Sequence, residues 1–230
     1  MMDEVKHEPK NPRSYGQFCA LARALDIVGE RWTLLIVREL LPGPMRYTEL
    51  KNSLAGIATN LLAERLRTLE SNGILQRQLG DSGVRYALTP WGASLREPME
   101  ALGRWGAPLL MTGRNDDSFQ PRWLALALPA LLRGITATPA VELGIETDGF
   151  RMVLRIDEDG PSATASPGQQ PDTVFTAAPE VVVGLAAGGL TIDQALDAGN
   201  LHGDNRILST VFPPKRAVTA TEVSPSATDA

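Results

Sequence analysis

The chain has 230 residues, of which 43% are hydrophobic, and a formal net charge of −5. This composition indicates an ordinary soluble globular protein of one or two domains. The first twenty residues lack the apolar core of a signal peptide, and the longest apolar run, Trp123 to Leu132, is far shorter than the roughly 20 residues that cross a bilayer. We therefore expect a cytoplasmic protein with no membrane partner.

Residues with catalytic or metal-binding chemistry are scarce. Cys19 is the only cysteine, and His7 and His202 are the only histidines. An internal disulfide, a cysteine-based zinc cluster and a histidine-rich metal site are therefore excluded. No nucleophile, base and orienting group converge in the sequence. We expect no enzymatic activity, no metal and no cofactor.

Charge is unevenly distributed along the chain. Residues 1–112 contain 14 Lys and Arg against 12 Asp and Glu, whereas residues 113–230 contain 8 against 15. A slightly basic front half can bind the phosphates of a nucleic acid, whereas an acidic back half would be repelled by them. We place a linker at 113–118, where a polar stretch with a glycine interrupts the apolar periodicity. Residues 1–14 and 213–230 lack periodicity and are predicted to be mobile tails.

The front domain, residues 15–112, contains the most informative segment. Residues 45–91 predict two short helices, two strands and a further helix, which is the order of a winged helix-turn-helix. The candidate recognition helix runs from Thr59 to Asn72, and its apolar residues Leu62, Leu66 and Leu69 fall within about 60° of one another on a helix. In such domains this helix enters the major groove and the hairpin lies beside the phosphates.

Polar residues occupy the predicted outer surface of the recognition helix, and an arginine lies on each strand of the hairpin. A polar helix face is by itself more often simply solvated, but this order of elements favours DNA binding. We predict that DNA is contacted by Thr48, Thr59, Asn60, Ala63, Glu64, Arg67, Arg77 and Arg85. Thr48 is also a possible N-cap of the preceding helix.

A long helix is predicted from Pro90 to about Met111, with a kink or break at Pro98. Its apolar residues can pack on their own domain or on a second subunit. We favour the second subunit, because helix-turn-helix proteins commonly read two half-sites as symmetric dimers. The residues concerned are Leu95, Met99, Leu102 and Trp105.

Several motifs in the front domain match those of a known family. They include Gly29-Glu-Arg-Trp-Thr-Leu-Leu-Ile36, Tyr47-Thr-Glu-Leu50, Leu62-Ala-Glu-Arg-Leu66 and Leu69-Glu-Ser-Asn-Gly73. Over about residues 15–106 the chain resembles the HxlR family of winged helix-turn-helix transcriptional regulators. The resemblance implies a homodimer that binds palindromic operator DNA as a repressor or an activator. It also implies an interface formed by the first and last helices of the domain, which adds Leu21 and Leu25.

Two segments of the recognition helix depart from the family pattern, namely its first residues and position 64. The family usually opens the recognition helix with Ser-Pro-Arg, whereas this chain has Ala58-Thr59-Asn60. Thr59 would then serve as the cap, one residue later. Glu64 replaces a neutral amide, and a carboxylate there accepts from cytosine but repels phosphate. We expect the operator to differ from those of closely matching relatives. Arg65 is interpreted as structural or phosphate-contacting.

Cys19 matches a cysteine that is frequent in the family, and some relatives sense oxidants through such a residue. Two interpretations stay open for Cys19. It can be a redox-active thiol, or a small buried residue at the start of the first helix. We favour the buried residue.

The back domain, residues 119–212, is predicted to be α+β, with helices packed against an antiparallel sheet. An apolar helix from Phe119 to Leu132 is expected to bend or break near Pro129. Alternating residues between Val141 and Ile156 predict a hairpin. A strand follows at about 172–177, and short helices follow at about 179–187, 191–198 and 203–212.

Motifs in the back domain are similar to the second half of sterol carrier protein type 2 domains. They include Thr173-Val-Phe-Thr176, Leu185-Ala-Ala-Gly-Gly-Leu190 and Leu201-His-Gly-Asp204. The resemblance implies an apolar cavity, although the small residues at 186–189 can instead allow close packing. Candidate pocket residues are Trp123, Leu126, Leu143, Met152, Leu154, Val182, Leu185 and Leu190. Because residues 203 and 204 match a turn of that pattern, no metal site is expected at His202 and Asp204.

The resulting hypothesis is a homodimeric transcriptional regulator that binds double-stranded operator DNA and is controlled by an apolar small molecule in its back domain. An alternative is a lipid or small-molecule carrier, or an accessory protein, in which the front domain mainly dimerises. A third possibility is a back domain that has lost its cavity and only mediates protein contacts.

Overall fold

The computed structural model describes residues 14–80, 83–112, 117–165, 168 and 171–214. Most of the predicted linker and nearly all of both predicted tails lie outside these residues, so those expectations are not tested. Among the described helices, none combines the length and the apolarity needed to cross a membrane.

The front domain has the predicted winged helix-turn-helix order. Its elements are α1 (Ala20–Val28), α2 (Thr33–Leu40), α3 (Tyr47–Ser53), α4 (Thr59–Ser71), β1 (Leu75–Gly80), β2 (Gly83–Leu88), α5 (Pro90–Ala93) and α6 (Arg96–Gly106). A 3₁₀ segment at Ala107–Thr112 follows.

The apolar stripe of α4 is buried as its helical spacing predicts. Leu62, Leu66 and Leu69 are at most 2% exposed, and they belong to one core with residues of α2, α3 and β1. Gly73 follows α4 with φ +70°, which is the left-handed conformation that favours glycine after a helix. The chain then turns directly into β1.

The hairpin is joined to the start of the helix-turn-helix. Strands β1 and β2 pair antiparallel, with Leu75 opposite Leu88. Met45, just before α3, forms an isolated antiparallel bridge with Tyr86 on β2. The two backbone hydrogen bonds of this bridge are 3.0 and 2.8 Å long. The hairpin therefore has a fixed position relative to α3.

The helix predicted from Pro90 to about Met111, with a kink or break at Pro98, is interrupted a few residues earlier than expected. Helix α5 ends at Ala93, α6 begins at Arg96, and the chain becomes 3₁₀ after Gly106. The interruption precedes Pro98, which lies in the first turn of α6. Backbone N–H groups in a first turn have no intrahelical acceptor, so a proline there removes no hydrogen bond.

Helix α5 is held close to the start of the hairpin. The Thr89 hydroxyl accepts from the Gly92 N–H at 3.0 Å, and the Thr89 N–H donates to the Ile74 carbonyl at 3.0 Å. A Cβ atom on Gly92 would lie 1.9 Å from the Ile74 carbonyl oxygen. The close approach of these two backbones therefore requires glycine at position 92.

The back domain begins with a 3₁₀ turn at Pro121–Trp123. Its elements are α7 (Leu124–Leu131), β3 (Val141–Thr147), β4 (Phe150–Asp157), β5 (Gly160–Ala165), β6 (Val174–Ala177), α8 (Pro179–Ala187), α9 (Ile192–Asp197), β7 (Gly199–His202) and α10 (Asn205–Val211).

The sheet of the back domain is mixed, which corrects the prediction of an antiparallel sheet. Its strand order is β5-β4-β3-β6-β7. Strands β3 and β6 are parallel, whereas the other neighbours are antiparallel. The parallel pair arises because the chain leaves β5 at one edge and crosses to the far side of β3. Strands β5 and β7 were not predicted, since neither has a clear apolar alternation.

Helix α7 is one continuous helix that contains Pro129, so the predicted break is wrong. Pro129 lies two residues before the end of α7, and the Leu132 N–H still donates to the Leu128 carbonyl at 3.0 Å. Only one helical hydrogen bond is therefore lost. Helix α7 contacts α8 and β5 in its own domain and α6 in the front domain.

We expect Gly92→Ala to lower the free energy of unfolding by at least about 2 kcal/mol, because the new methyl group overlaps a backbone oxygen that cannot move freely. Gly103→Ala is the matched control. A Cβ atom at Gly103, in α6, meets nothing within 4 Å, so this change should raise stability by about 0.5–1 kcal/mol. Urea denaturation followed by circular dichroism measures both values. Equal effects of the two substitutions would contradict the close approach.

Candidate functional site

The outer surface of α4 carries the side chains predicted to face DNA. Asn60 and Arg67 are exposed, and Ala63 and Glu64 are partly exposed. The Arg67 guanidinium donates to the Ala63 carbonyl at 3.2 Å. The Arg67 side chain therefore lies along the surface of the helix. The Glu64 carboxylate pairs with Arg65 at 3.2 Å. This pairing draws the carboxylate of Glu64 toward the protein.

Arg65 is a structural residue rather than a base-reading one. It is only 8% exposed. Its guanidinium pairs with Glu30 at 2.8 Å and donates to the Arg31 carbonyl at 3.3 Å. Arg65 therefore ties the recognition helix to the segment between α1 and α2, which agrees with the structural interpretation of this residue.

Helix α4 begins without a side-chain cap. Its N-cap is Ala58, whose methyl side chain offers no hydrogen-bond acceptor. Thr59 is already the first helical residue. The expectation that Thr59 caps the helix is therefore wrong. The turn before α4 is held from the other side, because the Tyr47 hydroxyl donates to the Thr59 carbonyl at 2.8 Å and Lys51 donates to the Ile57 carbonyl.

Thr48 is exposed within α3 and is not its N-cap, which corrects a second capping prediction. Helix α3 starts after Arg46. The Glu49 carboxylate accepts from the Arg46 N–H at 2.6 Å, so a carboxylate from inside the helix satisfies the N–H of the residue that precedes it.

The two arginines of the hairpin lie on opposite faces. Arg77 is opposite Tyr86 and Arg85 is opposite Gln78, and residues directly opposite on two strands share a face. The Arg77 guanidinium pairs with Glu70 of α4 at 2.7 Å. The Arg85 guanidinium donates to the Pro44 carbonyl at 3.2 Å. One arginine is thus directed to the recognition helix and the other to the loop before α3.

The residues predicted to form a dimer interface fall into two groups. Leu95 and Met99 are partly buried against the core of the front domain. Leu21, Leu25, Leu102 and Trp105 are 67%, 40%, 52% and 77% exposed. Large apolar side chains at this exposure are typical of interaction surfaces when they are grouped. A cavity of about 790 Å³ also opens beside α1, and Leu25 lines it.

Cys19 is exposed, which corrects the expectation of a buried residue. It occupies the N-cap position of α1. Of α1 itself only Ala22 is buried, so the start of this helix does not reach the core.

Five of the predicted pocket residues lie within one core rather than around an open space. Leu143, Met152, Leu154 and Val182 have no exposed surface, and Leu185 is 5% exposed. All five belong to the apolar core of the back domain. Leu190 is partly exposed. Trp123 and Leu126 line a different cavity, which lies between the two domains.

The most strongly buried charged group lies at this junction, and the sequence prediction missed it. The Glu39 carboxylate of α2 has no exposed surface. Its Oε1 accepts from Arg38 at 2.8 Å and from the Trp123 indole at 2.7 Å. Its Oε2 pairs with Arg122. The sequence did carry a signal for this buried charge, since Glu39 lies between the apolar residues Val37 and Leu40 of one helix.

The guanidinium of Arg38 also stacks on Trp123, with 3.8 Å between its carbon and the ring centroid. Burial lowers the pKa of Arg38, and the neighbouring Glu39 carboxylate acts in the opposite direction. A desolvated guanidinium over an indole ring is a favourable cation–π arrangement. The junction therefore combines charge pairing and aromatic stacking across the two domains.

The Asp204 carboxylate is engaged at the start of α10. Asp204 caps α10, and hydrogen bonds from Arg206 lower its pKa. Within the part of the chain that the structure describes, no three potential metal-ligating side chains are grouped together.

Comparison with known proteins identifies the front domain. A family model described as HxlR-like helix-turn-helix matches residues 27–113. The HTH-type transcriptional regulator YodB of Bacillus subtilis is 36% identical over 85 residues, which are 36% of this chain and 76% of YodB. This chain belongs to the HxlR-like helix-turn-helix family. Because its relatives are transcriptional regulators, DNA-binding regulation is the function class that family membership supports.

Other transcriptional regulators are also similar to part of this chain. The HTH-type transcriptional regulator YtfH of Escherichia coli is 31% identical over 104 residues, which are 44% of this chain and 82% of YtfH. The solved structure of the reduced form of YodB from B. subtilis has 32% identity and a TM-score of 0.37, and the match covers 42% of this chain and 99% of that one.

We expect Ala58→Ser to raise the free energy of unfolding by about 1 kcal/mol, because a serine at the N-cap supplies the acceptor that α4 lacks. Ala58 already has the extended backbone of an N-cap, with φ −69° and ψ 143°. The control is Ala55→Ser, which places the same hydroxyl in the exposed turn before α4. Thermal and urea unfolding measure both variants. No gain for Ala58→Ser over the control would refute the missing cap.

Proposed function

We propose that this protein is a homodimeric transcriptional regulator that binds operator DNA through α4 and the β1–β2 hairpin. The observation that carries the proposal is the arrangement of α4, whose leucines are buried and whose opposite surface is open to a groove. Membership of the HxlR-like family supports the same function. Thr48, Thr59, Asn60, Ala63, Glu64, Arg67, Arg77 and Arg85 are the proposed DNA-contacting residues.

The two hairpin arginines take different parts in this proposal. Arg77 and Glu70 form an exposed pair, so a phosphate competes with a carboxylate for Arg77. Arg85 donates only to a neutral backbone carbonyl among the contacts described, so an approaching phosphate is the stronger acceptor for it. We therefore assign phosphate binding at the hairpin chiefly to Arg85, and at the helix to Arg67.

The homodimer is proposed from the exposed apolar side chains of α1 and α6. A monomer that left Leu21, Leu102 and Trp105 in water would expose apolar area of the kind that interfaces usually cover. A symmetric dimer would also present two recognition helices to two half-sites. Leu95 and Met99 contribute by holding α6 on its own core.

Control by a small molecule in the back domain is also proposed. A ligand shifts DNA binding only if it binds DNA-competent and incompetent dimers with different affinity. A structural change in the back domain can reach the front domain through few contacts, because Arg122 and Trp123 of the back domain contact α2 directly. The apolar cavity expected among the core residues of the back domain would require those buried side chains to move apart.

The DNA-binding proposal is tested with DNA that flanks the gene of this protein. We expect Arg67→Ala and Arg85→Ala each to weaken binding by about tenfold and to reduce the salt slope by about one, because each removes a phosphate contact. Electrophoretic mobility shifts at several salt concentrations give both quantities. The control is Arg151→Ala, since Arg151 pairs with Glu146 on the sheet of the back domain.

The outcome also separates a regulator from a carrier. A regulator gives a footprint of two half-sites about one helical turn apart, or a multiple of that spacing. A protein that bound no flanking DNA at any salt concentration would instead favour the carrier.

We expect Trp105→Glu to raise the dimer dissociation constant by at least about tenfold, because a charge replaces a large apolar contact at the interface. The control is Leu79→Glu, which makes the same change on the hairpin at a residue that is 89% exposed. Sedimentation equilibrium compares the two. If Trp105→Glu left the dimer intact, α6 would not be the interface.

A further inference from the structure

The junction cavity between the two domains has a volume of about 230 Å³. Arg38 and Arg96 line it from the front domain, and Arg122 and Trp123 line it from the back domain. No carboxylate is among the described residues that line it. Three arginine residues thus line a space that would hold about seven or eight water molecules at 30 Å³ each.

The positive charge around this cavity exceeds the negative charge that is paired with it. Glu39 is not among the residues that line the cavity, and its carboxylate is shared by Arg38 and Arg122. Arg96 approaches Glu100 at only 3.9 Å and donates to the Leu41 carbonyl at 3.5 Å, both at the limit of useful contact. The cavity therefore has an excess of cationic donors.

One of those donors is buried without an acceptor. The Nε of Arg122 is inaccessible to solvent and has no hydrogen-bond partner among the described residues. A buried guanidinium N–H is normally satisfied, since leaving it unpaired costs free energy. The Nη2 of the same guanidinium pairs with Glu39, so the hydrogen-bonding capacity of Arg122 is only partly satisfied.

The remaining walls of the cavity determine which kind of uncharged group the ligand can carry. They consist of the Trp123 ring and of small or apolar side chains, among them Ala125, Leu126 and Ala165. A flat apolar group fits between an aromatic ring and alanine methyl groups, whereas a fully hydrated anion finds no hydrogen-bond donor on these apolar walls. The volume limits the ligand to about the size of one aromatic ring with its substituent.

We propose that the junction cavity binds a small organic carboxylate with a flat apolar body, held by the guanidinium groups of Arg96 and Arg122. Such a ligand contacts both domains at once. Ligand binding at this site does not depend on the proposed function. Only its consequence, a change in operator affinity, rests on the proposed function. This proposal places the control site at the junction rather than inside the apolar core of the back domain.

Benzoate is the probe, and isothermal titration calorimetry of the full chain without DNA is the measurement. We expect one benzoate per chain. Benzamide, which has the same shape without the charge, should bind at least about tenfold more weakly, because it loses the charge-assisted hydrogen bonds. Inorganic phosphate should also bind more weakly, because it has no apolar body. Equal binding of benzoate and benzamide, or of benzoate and phosphate, would overturn the proposal.

Arg96→Gln is the principal variant, because Arg96 is half exposed and its loss should leave the fold intact. It should weaken benzoate binding by about tenfold. The control is Arg133→Gln, which removes the same charge from an exposed residue that pairs with Glu97 across the same junction. Ala165→Leu should weaken binding with no change of charge, by filling the cavity. Equal affinities of the Arg96 and Arg133 variants would overturn the assignment.

Mobility shifts with operator DNA, measured with and without benzoate, separate this inference from the proposed function. Benzoate binding by a protein that retards no DNA contradicts the proposed function and supports the site. DNA binding by a protein that takes up no benzoate contradicts the site and supports the regulator.

Discussion

A carboxylate withdrawn from water must find hydrogen-bond donors inside the protein, and Glu39 finds them in both domains. Removing one partner from such a group is costly, because the other charge is left buried and unpaired. Arg122 and Trp123 must therefore stay where α2 can reach them. This requirement fixes the start of the back domain against the helix that supports the helix-turn-helix. The position of α7 and the cavity beside it depend on that attachment.

The front domain shows how far periodicity and turn chemistry predict a structure. The leucines of α4 occupy one face because a helix repeats every 3.6 residues, and Gly73 marks the helix end because few other residues adopt its conformation. Local capping was predicted less well. The side-chain cap at Ala58 is absent, and contacts from Tyr47 and Lys51 hold the turn before α4 instead. At α3 the Glu49 carboxylate accepts from the Arg46 N–H, so the start of that helix is held without a threonine cap.

The back domain was predicted in its elements more than in its topology. The β3–β4 hairpin follows from alternation and from turn residues close together in the chain. The parallel pairing of β3 with β6 depends on a crossover between residues far apart, which no local pattern encodes. The same limit applies to the candidate ligand residues. A residue buried in a core and a residue that lines a cavity give the same apolar pattern in a sequence. Only the packing shows that Leu143 lies in the core and that Leu126 lines a cavity. The charged cluster at Glu39 is likewise a product of distant segments.

Helix α7 has a consequence for the way the protein unfolds. It packs on α6 of the front domain and on β5 and α8 of the back domain, so neither domain can lose its structure while leaving the surroundings of α7 unchanged. Cooperative units in proteins follow shared contacts rather than sequence boundaries. We therefore expect the two domains to unfold together, in a single calorimetric transition. A destabilising change in the helix-turn-helix would also be detected by amide exchange in the distant sheet.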